Sequence, residues 1–104
     1  YMNVVIYATS SKAADTIEAF AKEKEMQVID TIINEDKLIE KLKWFIEREA
    51  IQAVLINSSL ELARNKKDLR DFLEFAANHN VSVNSKEYNW MPIRVEPWDG
   101  GSGC

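Results

Sequence analysis

Apolar and polar positions along the chain follow two alternating periods. Asn3–Ala8 (NVVIYA) is a short β-branched apolar run, the pattern of a strand buried on both faces. Thr9, Ser10 and Ser11 follow, residue types that cap helices. From Lys12 the period lengthens. Ala13, Ile17, Phe20 and Ala21 share one helical face, with Lys12, Asp15, Glu18, Lys22 and Glu23 largely off it. This predicts a helix ending near Lys24 or Glu25. Gln27–Ile33 (QVIDTII) reads as a second strand. Asn34 is placed to cap the next helix, with Glu35 and Asp36 in its first turn, where the helix dipole favours negative charge. Leu38, Leu42 and Phe45 mark that helix's stripe, Ile39 and Ile46 widen it, and it runs to about Glu49.

Residues 52–57 (QAVLIN) form a third apolar run, and residues 58–66 a polar connection with some helical character. Leu69, Phe72, Leu73 and Ala76 share one face of a helix predicted over residues 68–78. It stops at residues 78–80, because asparagine tolerates the left-handed conformation of a helix end. Residues 81–83 begin a fourth strand. Residues 92–95 are a short fifth extended piece, which Pro92 and Pro97 hold to an edge or a coil. Strand–helix alternation repeated three times implies parallel strands joined by right-handed crossovers. The expected fold is α/β and flavodoxin-like. It has three layers: a mostly parallel sheet of four or five strands in the order 2-1-3-4, with helices on both faces.

A length of 104 residues suits one domain, expected over residues 1–99. Residues 100–104 (GGSGC) read as an added linker ending in a thiol for attachment. Cys104 is the only cysteine, so the domain proper has neither a disulfide framework nor a thiolate metal site. No apolar run approaches a membrane span, and no signal peptide is evident, so the expected location is cytoplasmic, with no membrane partner. The net charge of −4 argues against a freestanding nucleic-acid binder, which needs a basic stripe to displace counterions; DNA contact by this domain alone would be weak.

Ligands of open parallel sheets bind beyond the carboxyl ends of the strands, where the strand order switches. Here that point lies between the first and third strands. It gathers Thr9, Ser10 and Ser11 from one loop and Asn57, Ser58 and Ser59 from the other. The free N–H groups of the first helix point to the same place, which suits an anion. Two readings stand: a binding site, or helix caps alone. No glycine precedes Gly100, which removes a P-loop or a dinucleotide fingerprint, and no cofactor is expected.

At these loops the chain resembles the resolvase/invertase family of serine site-specific recombinases. That family opens with a strand reading roughly I-Y-x-R-x-S, whose serine attacks a DNA phosphate. Ile6-Tyr7-Ala8-Thr9-Ser10-Ser11 stands in its place, with Ser11 at the nucleophile position and Thr9 where the arginine belongs. Thr16 to Ala21, leading into Gln27-Val28-Ile29, is similar to the family's first helix and second strand. The family's D-R-L-S-R motif after an apolar strand corresponds to Leu60-Glu61-Leu62-Ala63-Arg64 after Ala53-Val54-Leu55-Ile56-Asn57. Leu62 and Arg64 are kept, while the aspartate is Leu60 and the first arginine Glu61. A leucine-rich helix (Asp68-Leu69-Arg70-Asp71-Phe72-Leu73) and Asn80-Val81-Ser82-Val83 follow as in the family. The family's Y-x-D-x-G-x-S-G stretch is replaced by Ile33-Asn34-Glu35-Asp36. The resemblance covers about residues 3–90. It implies a resolvase-like fold, Ser11 as nucleophile and Arg64 as a phosphate contact; Ser10, Asn57, Ser58 and Ser59 at the switch point, with Lys12 beside Ser11, are the expected binding residues.

Attack on a phosphodiester needs cations that hold the developing charge. Loss of one such contact typically costs ~10²–10³ in rate. Thr9 and Glu61 remove two arginines, and Glu61 adds a repulsive carboxylate, so the expected deficit is at least ~10⁴. Lys12, beside Ser11, cannot reproduce a guanidinium's bidentate grip. The leading expectation is a catalytically degenerate recombinase-like domain related to DNA strand exchange. It would act as a regulatory or interaction module, as a homodimer or paired with an active recombinase. The alternatives are an active recombinase cutting through Ser11, and an unrelated or designed flavodoxin-like binding domain.

His79 is the only histidine and reads as a helix-end residue. Asp30, Glu35 and Asp36 read as an acidic helix start, not a metal set; no metal is expected. Trp44 is expected in the core on account of its size. Tyr88, Trp90 and Trp98 either fold back over the sheet edge or mark an interface. Arg64, Lys66, Lys67 and Arg70 form the one basic run, read as a solvated helix start that borders the site.

Overall fold

The computed structural model describes residues 2–63, 65–91 and 93. Four parallel strands, β1 (Asn3–Ala8), β2 (Gln27–Ile33), β3 (Ala53–Ile56) and β4 (Ser82–Ser85), form one sheet in the order β2-β1-β3-β4. Helix α1 (Ser11–Glu23) follows β1, α2 (Leu38–Glu47) follows β2, and α3 (Lys66–Asn78) follows β3. This is the predicted class and strand order. β1 and β3 are central and buried, as their unbroken apolar runs require. β2 is an edge strand with a register shift opposite Val4 and Val5, a device that discourages edge-to-edge pairing.

The sheet divides the core in two. Val4, Ile6, Ala8, Ala53 and Leu55 face α1, meeting Ala14, Ile17 and Ala21. Val5, Tyr7, Val54, Ile56 and Val83 face α2 and α3, meeting Leu42, Ile46, Phe72 and Ala76. The α1 stripe therefore centres on Ala14, Ile17 and Ala21, one step from the predicted one; Ala13 and Phe20 are its half-buried borders. Residue 93 donates its N–H to the Val83 carbonyl (2.7 Å) and Trp90 donates to Ser85 (2.8 Å). The chain thus turns back along the free edge of β4. Of the predicted fifth extended piece, Pro92, Arg94 and Val95 lie outside the described residues, as do Trp98 and residues 100–104.

Three expectations need correction. Asn34 does not cap α2. Its N–H continues the sheet ladder to the Ala8 carbonyl (2.9 Å) and its φ of 49° turns the chain away. The helix starts at Leu38, and Glu35 takes over locally by accepting the Lys37 N–H (3.2 Å) and pairing with Lys41 (3.2 Å). Helix α3 starts earlier than residue 68, because the Asn65 side chain caps it by accepting the Asp68 N–H (2.8 Å). Trp44 is 50% exposed rather than core. Two residues beyond Leu42, it points to the far side of α2 from the buried stripe of Leu38, Leu42 and Ile46. The Arg48 guanidinium lies 4.0 Å from its ring centroid.

Candidate functional site

Parallel pairing of β1 with β3 (Ile6 opposite Leu55) brings their carboxyl-end loops side by side. Thr9, Ser10 and Ser11 are therefore neighbours of the loop formed by Asn57, Ser58 and Ser59, as predicted from strand order. Ser10 is the N-cap of α1, its hydroxyl accepting the Ala13 N–H (3.2 Å). Ser11 is the first helical residue and exposed, as is Lys12. Asn57, Ser58 and Ser59 are half-buried, and Ser58 caps a short 3₁₀ helix, Ser59–Glu61, through the Leu60 N–H (3.2 Å). Arg64 lies outside the described residues.

Two carboxylates occupy this edge. Glu61 accepts the Asn57 N–H (3.3 Å) through one oxygen and the Thr9 hydroxyl (3.4 Å) through the other, joining the β1 and β3 loops. Glu87, just after β4, accepts the Ser59 N–H (2.7 Å) and the Ser58 hydroxyl (3.3 Å). The Asn57 and Ser59 N–H groups and the Thr9 and Ser58 hydroxyls are thus engaged by the protein's own acids. Glu61 was singled out in the sequence by its motif position. Glu87 was not: it stands 28 residues from Ser59, and only the β3–β4 pairing brings it there.

Beside Glu61 a cleft of about 540 Å³ opens between the β2–α2 turn and the 3₁₀ helix. Tyr7 and Thr9 line it together with Glu35, Asp36, Leu60 and Glu61. Burial raises the Tyr7 phenol above its ordinary value near 10, and the Glu61 carboxylate raises it further. A backbone hydrogen bond at Glu35 opposes the rise, while the charges of Asp36 and Glu35 add to it. Glu35 itself is lowered, first by the Lys37 N–H and then by Lys41. A separate hollow of about 650 Å³ lies away from this edge, between α3 and β4, lined by Leu73, Ala77, Val83 and Ile93.

The remaining candidates fall elsewhere. His79 caps the end of α3, its Nδ1 lying 3.0 Å from the Phe75 carbonyl. In the basic run Lys67 pairs with Asp71 (2.9 Å) and Arg70 with Glu74 (3.7 Å), one helical turn on. Trp90 stacks on Phe20 (centroids 4.2 Å apart, planes at 14°) and so folds back over the α1 side, while Tyr88 stays exposed. Among the described residues no group of three acids, histidines or cysteines could hold a metal ion, and no helix is long and apolar enough to cross a membrane.

The all-parallel 2-1-3-4 sheet with helices on both faces is an α/β fold shared with the catalytic domain of a serine integrase. The structure is similar to that of the N-terminal catalytic domain of TP901-1 integrase, with a TM-score of 0.73 over 83% of this chain and 78% of that one. Sequence identity between the two is 20%. No family model and no curated protein matches the sequence.

Proposed function

We propose that this chain is a recombinase-like domain that no longer cleaves DNA and serves as a regulatory or protein-interaction module, alone as a homodimer or paired with an active recombinase. The observation that carries this reading is Glu61, whose carboxylate takes the Asn57 N–H and the Thr9 hydroxyl where strand cleavage calls for guanidinium groups. A phosphodiester brought to Ser11 would meet fixed negative charge at a place where catalysis depends on preorganised positive charge. Glu87 on the neighbouring loop compounds the repulsion. Lys12 is the one cation beside Ser11 in the sequence, and a single ammonium does not replace an arginine cluster.

The test is nicking of supercoiled DNA by the natural full-length protein beside its Ser11→Ala variant. The expected outcome is the same background level from both. Nicking that disappears with the hydroxyl would overturn the reading and restore Ser11 as a nucleophile. Gel filtration with and without an active recombinase tests the second half: a strictly monomeric domain that co-elutes with no recombinase counts against a pairing role.

A further inference from the structure

The cleft beside Glu61 does not end at the β2–α2 turn. Glu35, Lys37 and Glu40 line both it and a second groove of about 430 Å³, whose far wall is Trp44 and Phe45. The two grooves therefore adjoin across these side chains, and together, here called the channel, they run from Leu60 at the sheet's carboxyl edge, past the β2–α2 turn, to the outer face of α2. Its ends are apolar. Leu60 is 71% exposed and Trp44 half exposed, with the Phe45 ring set edge-on to Trp44 (5.1 Å, 84°). Its length is acidic: Asp30, Glu35, Asp36, Glu40 and Glu61 line it against Lys37 and Lys41, and Lys41 is held by Glu35.

We infer that this channel docks a lysine- or arginine-rich segment of a partner protein that carries at least one aliphatic side chain. Charge complementarity selects the occupant: carboxylates along the channel favour cations and reject phosphate. The aromatic end points the same way, since indole faces attract guanidinium groups, and Trp44 already holds the chain's own Arg48 at 4.0 Å. Exposed Leu60 and Trp44 offer anchor points of the kind that supply interface affinity. The acids bear on the floor as well: after burial, the charges of Glu61 and Asp36 raise the Tyr7 phenol. A second copy of this chain, itself at −4, is the poorer fit. The inference rests on the domain being an interaction module, and it adds the chemistry of the partner.

The probe is a synthetic heptapeptide of alternating arginine and leucine, titrated into the full ¹⁵N-labelled chain, with a glutamate–leucine peptide and a short DNA duplex as parallel titrants. Saturable shifts at Asp36, Glu40, Leu60 and the Trp44 indole are expected with the basic peptide alone. The double variant Asp36→Lys/Glu40→Lys should bind at least about tenfold more weakly, and Trp44→Ala should also weaken binding. Glu40→Gln, which keeps helix propensity, should give a smaller loss. Shifts elsewhere or none, equal shifts from the acidic peptide or DNA, or variants that bind within about twofold of the parent would overturn the inference. A silent peptide together with absent nicking removes the channel and leaves the loss-of-cleavage reading standing. Ser11-dependent nicking removes that reading whatever the peptide does.

Discussion

All three helices end in the same hydrogen-bonded motif, and none of them uses glycine. The N–H of Met26 reaches the Ala21 carbonyl (2.9 Å), Ala50 reaches Phe45 (3.2 Å) and Val81 reaches Ala76 (2.8 Å). In each case the preceding residue is left-handed: Glu25 at φ 59°, Glu49 at 56° and Asn80 at 61°. These are Schellman ends, with an apolar residue following the left-handed one. A left-handed L-residue costs about 1–2 kcal/mol, and glycine's greater freedom in the unfolded chain offsets about 0.5–1 kcal/mol of the relief. Glu25→Gly and Glu49→Gly should therefore each stabilise by about 0.5–1 kcal/mol. Together they should raise the melting midpoint by roughly 5–10 °C in a domain of this size. Asn80→Gly should change little, because asparagine already tolerates this region. Ala19→Gly, on the exposed face of α1, should lower stability by about 1 kcal/mol and shows that the assay reads backbone effects with the right sign. Urea titrations with unchanged slopes, alongside thermal melts, would measure all four. If the double variant melts at or below the parent while Ala19→Gly behaves as stated, the strain argument is wrong.

Other outcomes follow from the packing and the site. Phe72 is buried between α3 and the sheet, so Phe72→Ala should cost about 3–5 kcal/mol, much of a small domain's stability, seen as a large fall in the urea midpoint. Glu87→Gln should speed hydrogen exchange at the Ser59 amide, read by NMR, by weakening the charge-assisted bond at 2.7 Å; unchanged exchange would show that Glu87 does not hold the loop. Tyr7 holds its proton above the ordinary phenol value in the folded state. Its contribution to stability is therefore complete below about pH 10 and is lost as pH rises through the raised folded value. Tyr7→Phe should flatten that alkaline decline in chemical-denaturation midpoints measured against pH.

Sheet order and element sequence were legible because the central strands are buried on both faces and their apolar runs are unbroken, as in Val4 to Ala8 and Ala53 to Ile56. The start of α1 was legible too, but those of α2 and α3 were not, for a specific reason. Asn34 and Asn65 look alike as caps in sequence. The ladder bond to Ala8 commits Asn34 to the end of β2, whereas nothing in the sheet competes for Asn65. Trp44 shows the limit of reasoning from size: its angular position on α2 sends it outward, and an Arg48 one turn away covers the ring. The proximity of Thr9 to Asn57, Ser58 and Ser59 was legible because strand order alone brings their loops together. The two carboxylates that claim their donors depend on side-chain reach across loops. Motif position flagged Glu61, and no local pattern pointed to Glu87.

Glu61 and Glu87 together solve a structural problem at the sheet's carboxyl edge. Backbone N–H groups at Asn57 and Ser59 point away from the strand ladder, and half-buried donors left without partners are costly. An edge that cradles phosphate can leave such donors to water between visits of its ligand. A resident acceptor removes that need for water, and a carboxylate suits because its two oxygens can bridge separate loops. Glu61 spans the β1 and β3 loops in this way, and Glu87 ties the segment after β4 to the loop after β3. The two carboxylates thus fix the three loops relative to one another. Replacing Glu61 with arginine would put a cation at this edge but forfeit that tie. A gain of DNA affinity in Glu61→Arg without gain of nicking is therefore the expected result, measured by duplex binding at several salt concentrations beside the supercoil assay. Recovery of Ser11-dependent nicking from that one substitution would show that the loops were catalytically poised all along, and that the carboxylate was an obstacle rather than a structural replacement.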